Sequence, residues 1–324
     1  MTTRPVAEIA DRYRWFAQVE AAGVSPLYEA FAASIAADAD VLAFLADLPA
    51  GKQQPNLLLA ALQYLHGTAT SYPELRNWVL EDADRVRTTM LTHATQTNEP
   101  ARCAALLPLL AGFSEPLTLI EVGASAGLCL YPDRYAYDYG GHLVGGPSPV
   151  TLSCELSGPV PVPARVPKVV ARMGVDLNPL DPADPDDRAW LHALIWPGHP
   201  ERRSRLDAAL DLAAAEPATM FTGHLLDQLP VAVAAAPAAS TTVVFHTAVL
   251  AYLSDDDKAA FIALVGGLPV RWISQEGLGV LPAVRDRLPA PAPGDRAQLV
   301  LALDGEPVAR TAPHGGRLDW LAAT

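Results

Sequence analysis

The segment Glu121-Val122-Gly123-Ala124-Ser125-Ala126-Gly127 gathers the residue types most able to do chemistry. Glycines after a buried strand let the backbone pass close to a ligand, and the N–H groups of a following helix can face a nucleotide-type cofactor. Glu121 stands at the strand end, where it can meet a cationic or hydroxylated group. Read as Gly123-x-Ser125-x-Gly127, the same residues match a nucleophile elbow, with Ser125 attacking and His314 as the distant base of a serine hydrolase. The plainest reading is a tight strand-to-helix turn that needs small residues. An elbow hydrolase carries several strands ahead of its serine, whereas the stretch before residue 115 reads as helical, which favours the cofactor loop.

His246 closes the apolar run from Val243 to Phe245 and is the first candidate for a base, because an imidazole titrates near operating pH. Glu276, after the next strand, is a second acid at the same sheet edge. The block Thr95-Gln96-Thr97-Asn98-Glu99, with Arg102, ends the helical part just before the sheet. Asn98 suits an N-cap with Pro100 in the first turn, but capping leaves Gln96, Glu99 and Arg102 unexplained. Together with Tyr137 and His142 of a Tyr-rich hairpin, they are expected to line an acceptor pocket; a structural polar network is the alternative. The other histidines (66, 93, 192, 199 and 224) read as core, cap or surface groups without metal spacing. Cys103, Cys129 and Cys154 contain no C-x-x-C pair, so neither a disulfide framework nor a zinc site is expected.

These residues need elements to hold them. Apolar spacing predicts helices up to about residue 112: one with Leu27, Phe31 and Ile35 on a face, a cluster over 41–48, a helix over 57–66 capped by Asn56 and ended by Gly67, and one with Cys103, Leu106, Leu107 and Leu110 buried. The run 117–122 reads as the first strand, followed by a brief helix that Pro132 interrupts. Alternation at Tyr135, Tyr137 and Tyr139, and again at Val150, Leu152 and Cys154, predicts a β-hairpin insertion. Further strands are expected over 169–177, 218–222, 241–246 and 271–274, and helices over 185–196, 200–215, 229–235 and 255–265, with Ser254 capping the last. A final hairpin over 298–303 and 308–311 turns at Asp304-Gly305. The expected class is therefore α/β: a helical domain over 1–113, then 114–324 as a parallel sheet with a C-terminal antiparallel hairpin and an insertion at about 132–166.

With 324 residues, half of them apolar and only 18% charged, the chain folds and is long enough for about two domains. Its net charge of −13 is spread along the length and disfavours nucleic acid and anionic membrane as partners. No run approaches a membrane span, and the start lacks the apolar core of a signal peptide. A cytoplasmic protein is expected, acting on a small molecule, with a homodimer as the candidate assembly.

The part from about 115 onward resembles the class I S-adenosylmethionine-dependent methyltransferases. The resemblance rests on Glu121, Gly123, Ser125 and Gly127 (serine in place of a middle glycine), on GVDLNP with Asp176, on TGHLLDQLP, and on the TTVVFHTAVLAYLS segment with its helix. It implies a Rossmann-like sheet that binds S-adenosylmethionine. Glu121, Gly123, Ser125 and Gly127 would form the loop, and Asp176 would lie on the ribose, with Glu155 as the alternative acid. Asp227, rather than His224, would lie beside the adenine, and the last hairpin would supply the sixth and seventh strands. It further implies transfer of a methyl group to a small molecule, with His246 and Glu276 near the reacting centre. A methyltransferase-like protein that only binds a ligand stays open beside it. Nearly the whole chain is also similar to a bacterial family known mainly as a domain of unknown function, through RYRWFAQVEAAGVSPLYEA, QTNEPARCAALLPLL, EVGASAGLCL, GVDLNPLD and VVFHTAVLAYLS.

Overall fold

A computed structural model describes residues 4–96, 98–289 and 299–322. The helices are α1 (Val6–Trp15), α2 (Pro26–Ile35), α3 (Ala39–Ala46), α4 (Pro55–His66), α5 (Tyr72–Glu81), α6 (Ala83–Thr92), α7 (Cys103–Leu110), α8 (Pro185–Ala193), α9 (Pro200–Ala215), α10 (Leu225–Ala234), α11 (Asp255–Gly267) and α12 (Pro282–Arg285). The strands are β1 (Leu117–Val122), β2 (Ala136–Tyr139), β3 (His142–Val144), β4 (Thr151–Ser153), β5 (Glu155–Ser157), β6 (Val169–Asp176), β7 (Thr219–Thr222), β8 (Thr241–Thr247), β9 (Arg271–Gly277), β10 (Leu299–Leu303), β11 (Glu306–Thr311) and β12 (Arg317–Trp320). The chain divides into two units. One holds the residues up to 96 and Asp184–Ser204; the other holds Asn98–Ala183 and the residues from Arg205 on.

The first unit is helical. Ser25, Asp38, Ser71 and Asp184 accept backbone N–H groups at the starts of α2, α3, α5 and α8, and a proline in the first turn supports three of these starts. Gly67, at φ +86°, ends α4 as expected. Asn56 does not cap that helix. Pro55 already occupies its first turn, and Asn56 instead accepts the indole N–H of Trp196 at 3.0 Å. Gln63, on α4, donates to the carbonyl of Ile195 at 3.0 Å, which ties 184–204 to this unit.

The second unit is built on a nine-stranded sheet in the order β5-β12-β11-β10-β9-β8-β1-β6-β7. From β7 to β9 all neighbours are parallel; from β9 to β12 they are antiparallel. β1 is buried along its whole length, with β6 on one side and β8 on the other. The winding therefore reverses beside β1, and in open α/β sheets such a reversal is where ligands bind, at the carboxyl ends of the strands. Helices α10 and α11 cover one face, over Ile120, Val122, Met173, Val175 and Val244.

Several expectations need correction. The boundary falls before α7, not after it. All eight residues of CAALLPLL are buried, and a helix without a polar face must be enclosed on every side. The insertion is more than a hairpin. β2 and β3 turn at Gly140-Gly141, but β4 runs parallel to β2, and β5 leaves to pair with β12 in the main sheet. The chain does not reach β6 through a helix; one 3-10 turn, Leu128–Leu130, follows the Gly-rich loop. The Asp304-Gly305 turn forms with both φ angles positive, but a further strand, β12, makes the end a meander. Gln298, expected to begin the hairpin, lies outside the described residues, as does Thr97 of the polar block.

Candidate functional site

Side chains alternate across a strand, so register assigns each residue to a face of the sheet. Glu121 pairs with Phe245 and Thr247 with Gln275, which puts Glu121 and Thr247 on one face and His246 and Glu276 on the other. The loops after β1 and β8 flank the reversal. Each bends through a non-glycine residue in the left-handed region, Ser125 at φ +52° and Ala248 at φ +57°. Such backbone costs of order 1–3 kcal/mol and concentrates at functional sites.

The loop 123–127 is held from all sides by its own chain. Gly123 N–H donates to the Val175 carbonyl at 2.7 Å and Gly127 N–H to that of Ala124 at 2.6 Å. Ser125 N–H donates to Asp176 Oδ2 at 2.8 Å, and Asp176 Oδ1 accepts from Asn178 N–H. Asn98 closes the ring. Its Nδ2 donates to the Ala124 carbonyl, and its Oδ1 accepts Leu128 N–H, each at 2.8 Å. Asn98 is thus a clamp and not a helix cap. The cap role falls to Glu99, which accepts Ala101 N–H at the start of a 3-10 turn over Pro100–Arg102. Gly123 is needed for close approach: a Cβ there would come within 2.5 Å of Val249 Cγ2, at φ +71°. At Gly127 the equivalent space faces Leu130 at 3.2 Å.

Glu121 is the unusual group. It is 2% exposed, its Oε2 has no hydrogen-bond partner, and it ends the central strand. Burial drives its carboxyl well above the usual carboxylate range; the Cys129 thiol adds to this, Arg102 opposes it, and Asp176 adds again. Arg102 is fixed by the end of β8, donating through Nη1 to Thr247 O and Oγ1, and through Nε to the Pro313 carbonyl. A Cβ on Gly315 would strike the Ala101 carbonyl, so the 312–316 loop lies against this turn. Glu99 Oε1 also accepts from Arg205 Nε at 3.0 Å.

His246 and Glu276 do meet, but on the helix-covered face away from Glu121. The indole N–H of Trp272 donates to His246 Nε2 at 3.0 Å, so the imidazole carries its proton on Nδ1 and donates it to Glu276 Oε1 at 2.7 Å. Glu276 Oε1 also accepts Val249 N–H and Leu250 N–H. The ring has no exposed surface and packs edge-on against Phe261. A histidine with both nitrogens engaged in a sealed core pins the β8 loop; it is not poised to take a substrate proton.

The remaining candidates separate. Tyr137 is fully buried and donates to the Pro132 carbonyl at 2.7 Å, while Tyr135 and Tyr139 donate to those of Leu128 and Ala104. This stripe anchors the small sheet and lines no acceptor pocket. His142 is exposed at the tip of that hairpin. Gln96 belongs to the first unit, whereas Asn98, Glu99 and Arg102 belong to the second. Asp227 is exposed in the first turn of α10, which His224 caps through Nδ1. Glu155 lies on β5 at the far edge of the sheet, leaving Asp176 as the acid beside β1. Ser125 is 2% exposed, and a 3-10 turn rather than a helix follows it, unlike an elbow. Sequence reasoning missed Val249, Ala248 and Arg205, which no motif marks. Among the described residues no cluster could hold a metal ion, and no helix is long and apolar enough to cross a membrane.

The fold and site define an α/β protein with a parallel sheet core and, at the reversal of its winding, a buried carboxyl with one oxygen lacking a hydrogen-bond partner. The chain belongs to the family described as an uncharacterized protein conserved in bacteria (DUF2332), whose model matches residues 10–320. No curated protein and no solved structure matches it significantly.

Proposed function

We propose that the protein binds S-adenosylmethionine at the carboxyl edge of β1 and β6 and transfers its methyl group to a small molecule. The observation that carries this reading is Glu121, a buried carboxyl at the end of the central strand whose Oε2 awaits a donor. Asp176, at the end of the adjacent β6, supports it. The loop backbone fits less well. Its Gly123, Ser125, Gly127 and Leu128 N–H groups are spent on its own chain, so the ligand would be held by side chains. The cofactor supplies a methyl group already activated on a sulfonium, and alignment is the protein's main task. Glu121 accepts a donor from the ligand, while Asn98 and Asp176 keep the loop rigid. Titration calorimetry with S-adenosylmethionine tests the reading, followed by transfer of a labelled methyl group across a panel of small acceptors. One-to-one binding weakened in Glu121→Ala is expected; absence of binding at millimolar cofactor would overturn it.

The non-catalytic alternative draws support from Val249, whose side chain fills the space before Gly123. On that reading the protein binds the cofactor or a related metabolite, and the acceptor panel stays unmethylated.

A further inference from the structure

Glu121, Gly174 and Met220 stand side by side across β1, β6 and β7, so register puts all three on one face of the sheet. Gly174 has no side chain, and the Met220 thioether lies in the space this leaves. A Cβ on Gly174 would come within 2.5 Å of Met220 Sδ, 2.6 Å of its Cε and 2.8 Å of the Ala124 methyl. A Cβ on Gly127 would meet the same sulfur at 4.0 Å. The thioether is therefore a wedge between β6 and the 123–127 loop. Its strand ends the nine-stranded sheet, and Met220 is only half-buried there, whereas Met90 and Met173 are 0% and 7% exposed. Among the methionines of the described residues, Met220 is the one that a small oxidant in solution reaches first.

We propose that Met220 is a peroxide-sensitive modification site whose oxidation releases the 123–127 loop. A lone pair of the sulfur takes one oxygen from hydrogen peroxide as the O–O bond breaks. The thioether becomes a sulfoxide and the second oxygen leaves as water, so the step needs no further reductant or proton. It turns a flexible apolar group into a polar one. The N–H groups of Gly123, Ser125 and Gly127 are already given to Val175, Asp176 and Ala124, so they offer the new oxygen nothing, and leaving it unpaired beside them is costly. The oxidised side chain swings towards the open edge of β7 and leaves its niche empty. Ala124 and Gly127 then lose the packing that holds them over β6. Because this loop stands at the reversal of the winding, the modification acts on that edge of the sheet whichever ligand it takes, and the inference is independent of the cofactor reading.

Brief treatment of the full chain with dilute hydrogen peroxide, followed by peptide mass spectrometry and amide hydrogen exchange, tests this. The expected result is one oxygen added at Met220 at least about tenfold faster than at Met90 or Met173. Exchange of the Ser125 and Gly127 amides should accelerate about tenfold in the oxidised protein. Methionine sulfoxide reductases, one for each sulfoxide epimer, should restore the original protection. Met220→Leu, close in volume and inert to peroxide, keeps both amides protected before and after treatment, which also separates the effect from any oxidation of thiols. Met220→Gln, which carries a polar group of similar length, speeds the same amides without peroxide and covers the case in which Met220→Leu packs badly. Oxidation at Met220 no faster than at Met173 overturns the modification site. Fast oxidation with unchanged exchange at Gly127, or acceleration that persists in peroxide-treated Met220→Leu, overturns the release of the loop.

Discussion

Glu276 accepts the backbone N–H of Val249 at 2.8 Å, and the side chain of Val249 occupies the space directly before Gly123. A carboxylate on β9 thereby sets how closely the β8 loop approaches the β1 loop. Gly123→Ala should destabilise the protein by more than about 2 kcal/mol, from left-handed backbone strain of about 1–2 kcal/mol and overpacking of about 1–3 kcal/mol. Adding Val249→Ala should return the overpacking part. Urea unfolding of the double-mutant cycle reads a coupling of about 1 kcal/mol or more; strict additivity would mean the two residues do not touch.

Asn98 makes two hydrogen bonds to the loop, and both loop partners lie in a largely buried stretch. Asn98→Ala should cost about 1–3 kcal/mol, the penalty for leaving such groups unpaired. Amide hydrogen exchange at Leu128 should accelerate. Unchanged protection at Leu128 would refute the clamp.

Glu121 gives the ligand-free protein a distinctive pH dependence. Its folded carboxyl is raised above the unfolded value, so the native state holds a proton that the unfolded chain has released. The stability it contributes is present below the unfolded pKa of about 4.3 and is lost as pH rises through the folded value. Glu121→Gln should therefore raise the melting temperature above about pH 5, by an amount that grows as pH rises towards the folded value. The gain should vanish near pH 4. A variant less stable than wild type at pH 7 would contradict this.

Asp38 runs the other way. Burial tends to raise its carboxyl, but the Val41 N–H, the Tyr72 hydroxyl and the Arg76 guanidinium together hold it below the usual value. A lowered folded pKa stabilises above the unfolded pKa of about 3.9, and that contribution is lost as pH falls through the folded value. Asp38→Ala removes the α3 cap and should cost about 2 kcal/mol at pH 7. Chemical denaturation at pH 7 and below about pH 3 should show the gap between wild type and variant narrowing; a gap independent of pH would count against it.

Where a local rule decides the outcome, the structure is readable from the residues. Asp304-Gly305 offers the positive φ values a two-residue turn needs, and the hairpin forms there. Asp184 before Pro185 starts a helix for equally local reasons. The mainly apolar run at 117–122 is a central strand, buried along its whole length. Partnership over distance is less legible. Alternation at Leu152 predicts a strand but carries no sign of whether its neighbour runs parallel or antiparallel, so the parallel pairing of β4 with β2 is invisible in the residues. Asn98 satisfies every local rule for a cap, and only the folded loop reveals Ala124 and Leu128 as its partners. The site divides along the same line. Glu121 stands out because the glycines just after it mark the end of its strand. His246 and Glu276 are neighbours as expected but serve the opposite face, since one residue of offset along β8 reverses the side that a group occupies. Val249 has no chemical signature, and its importance comes from where Glu276 holds it.

The pairing of Glu155–Ser157 with Arg317–Trp320 ties the rim of the sheet to the order of synthesis. As the chain leaves the ribosome, β5 emerges long before the strand it will lie beside. Until β12 arrives, its backbone donors and acceptors have only water to bond, or another nascent chain. Truncations before residue 317 therefore leave an open seam on an otherwise completed sheet, and crowded expression of such fragments should yield aggregates rather than a smaller folded protein.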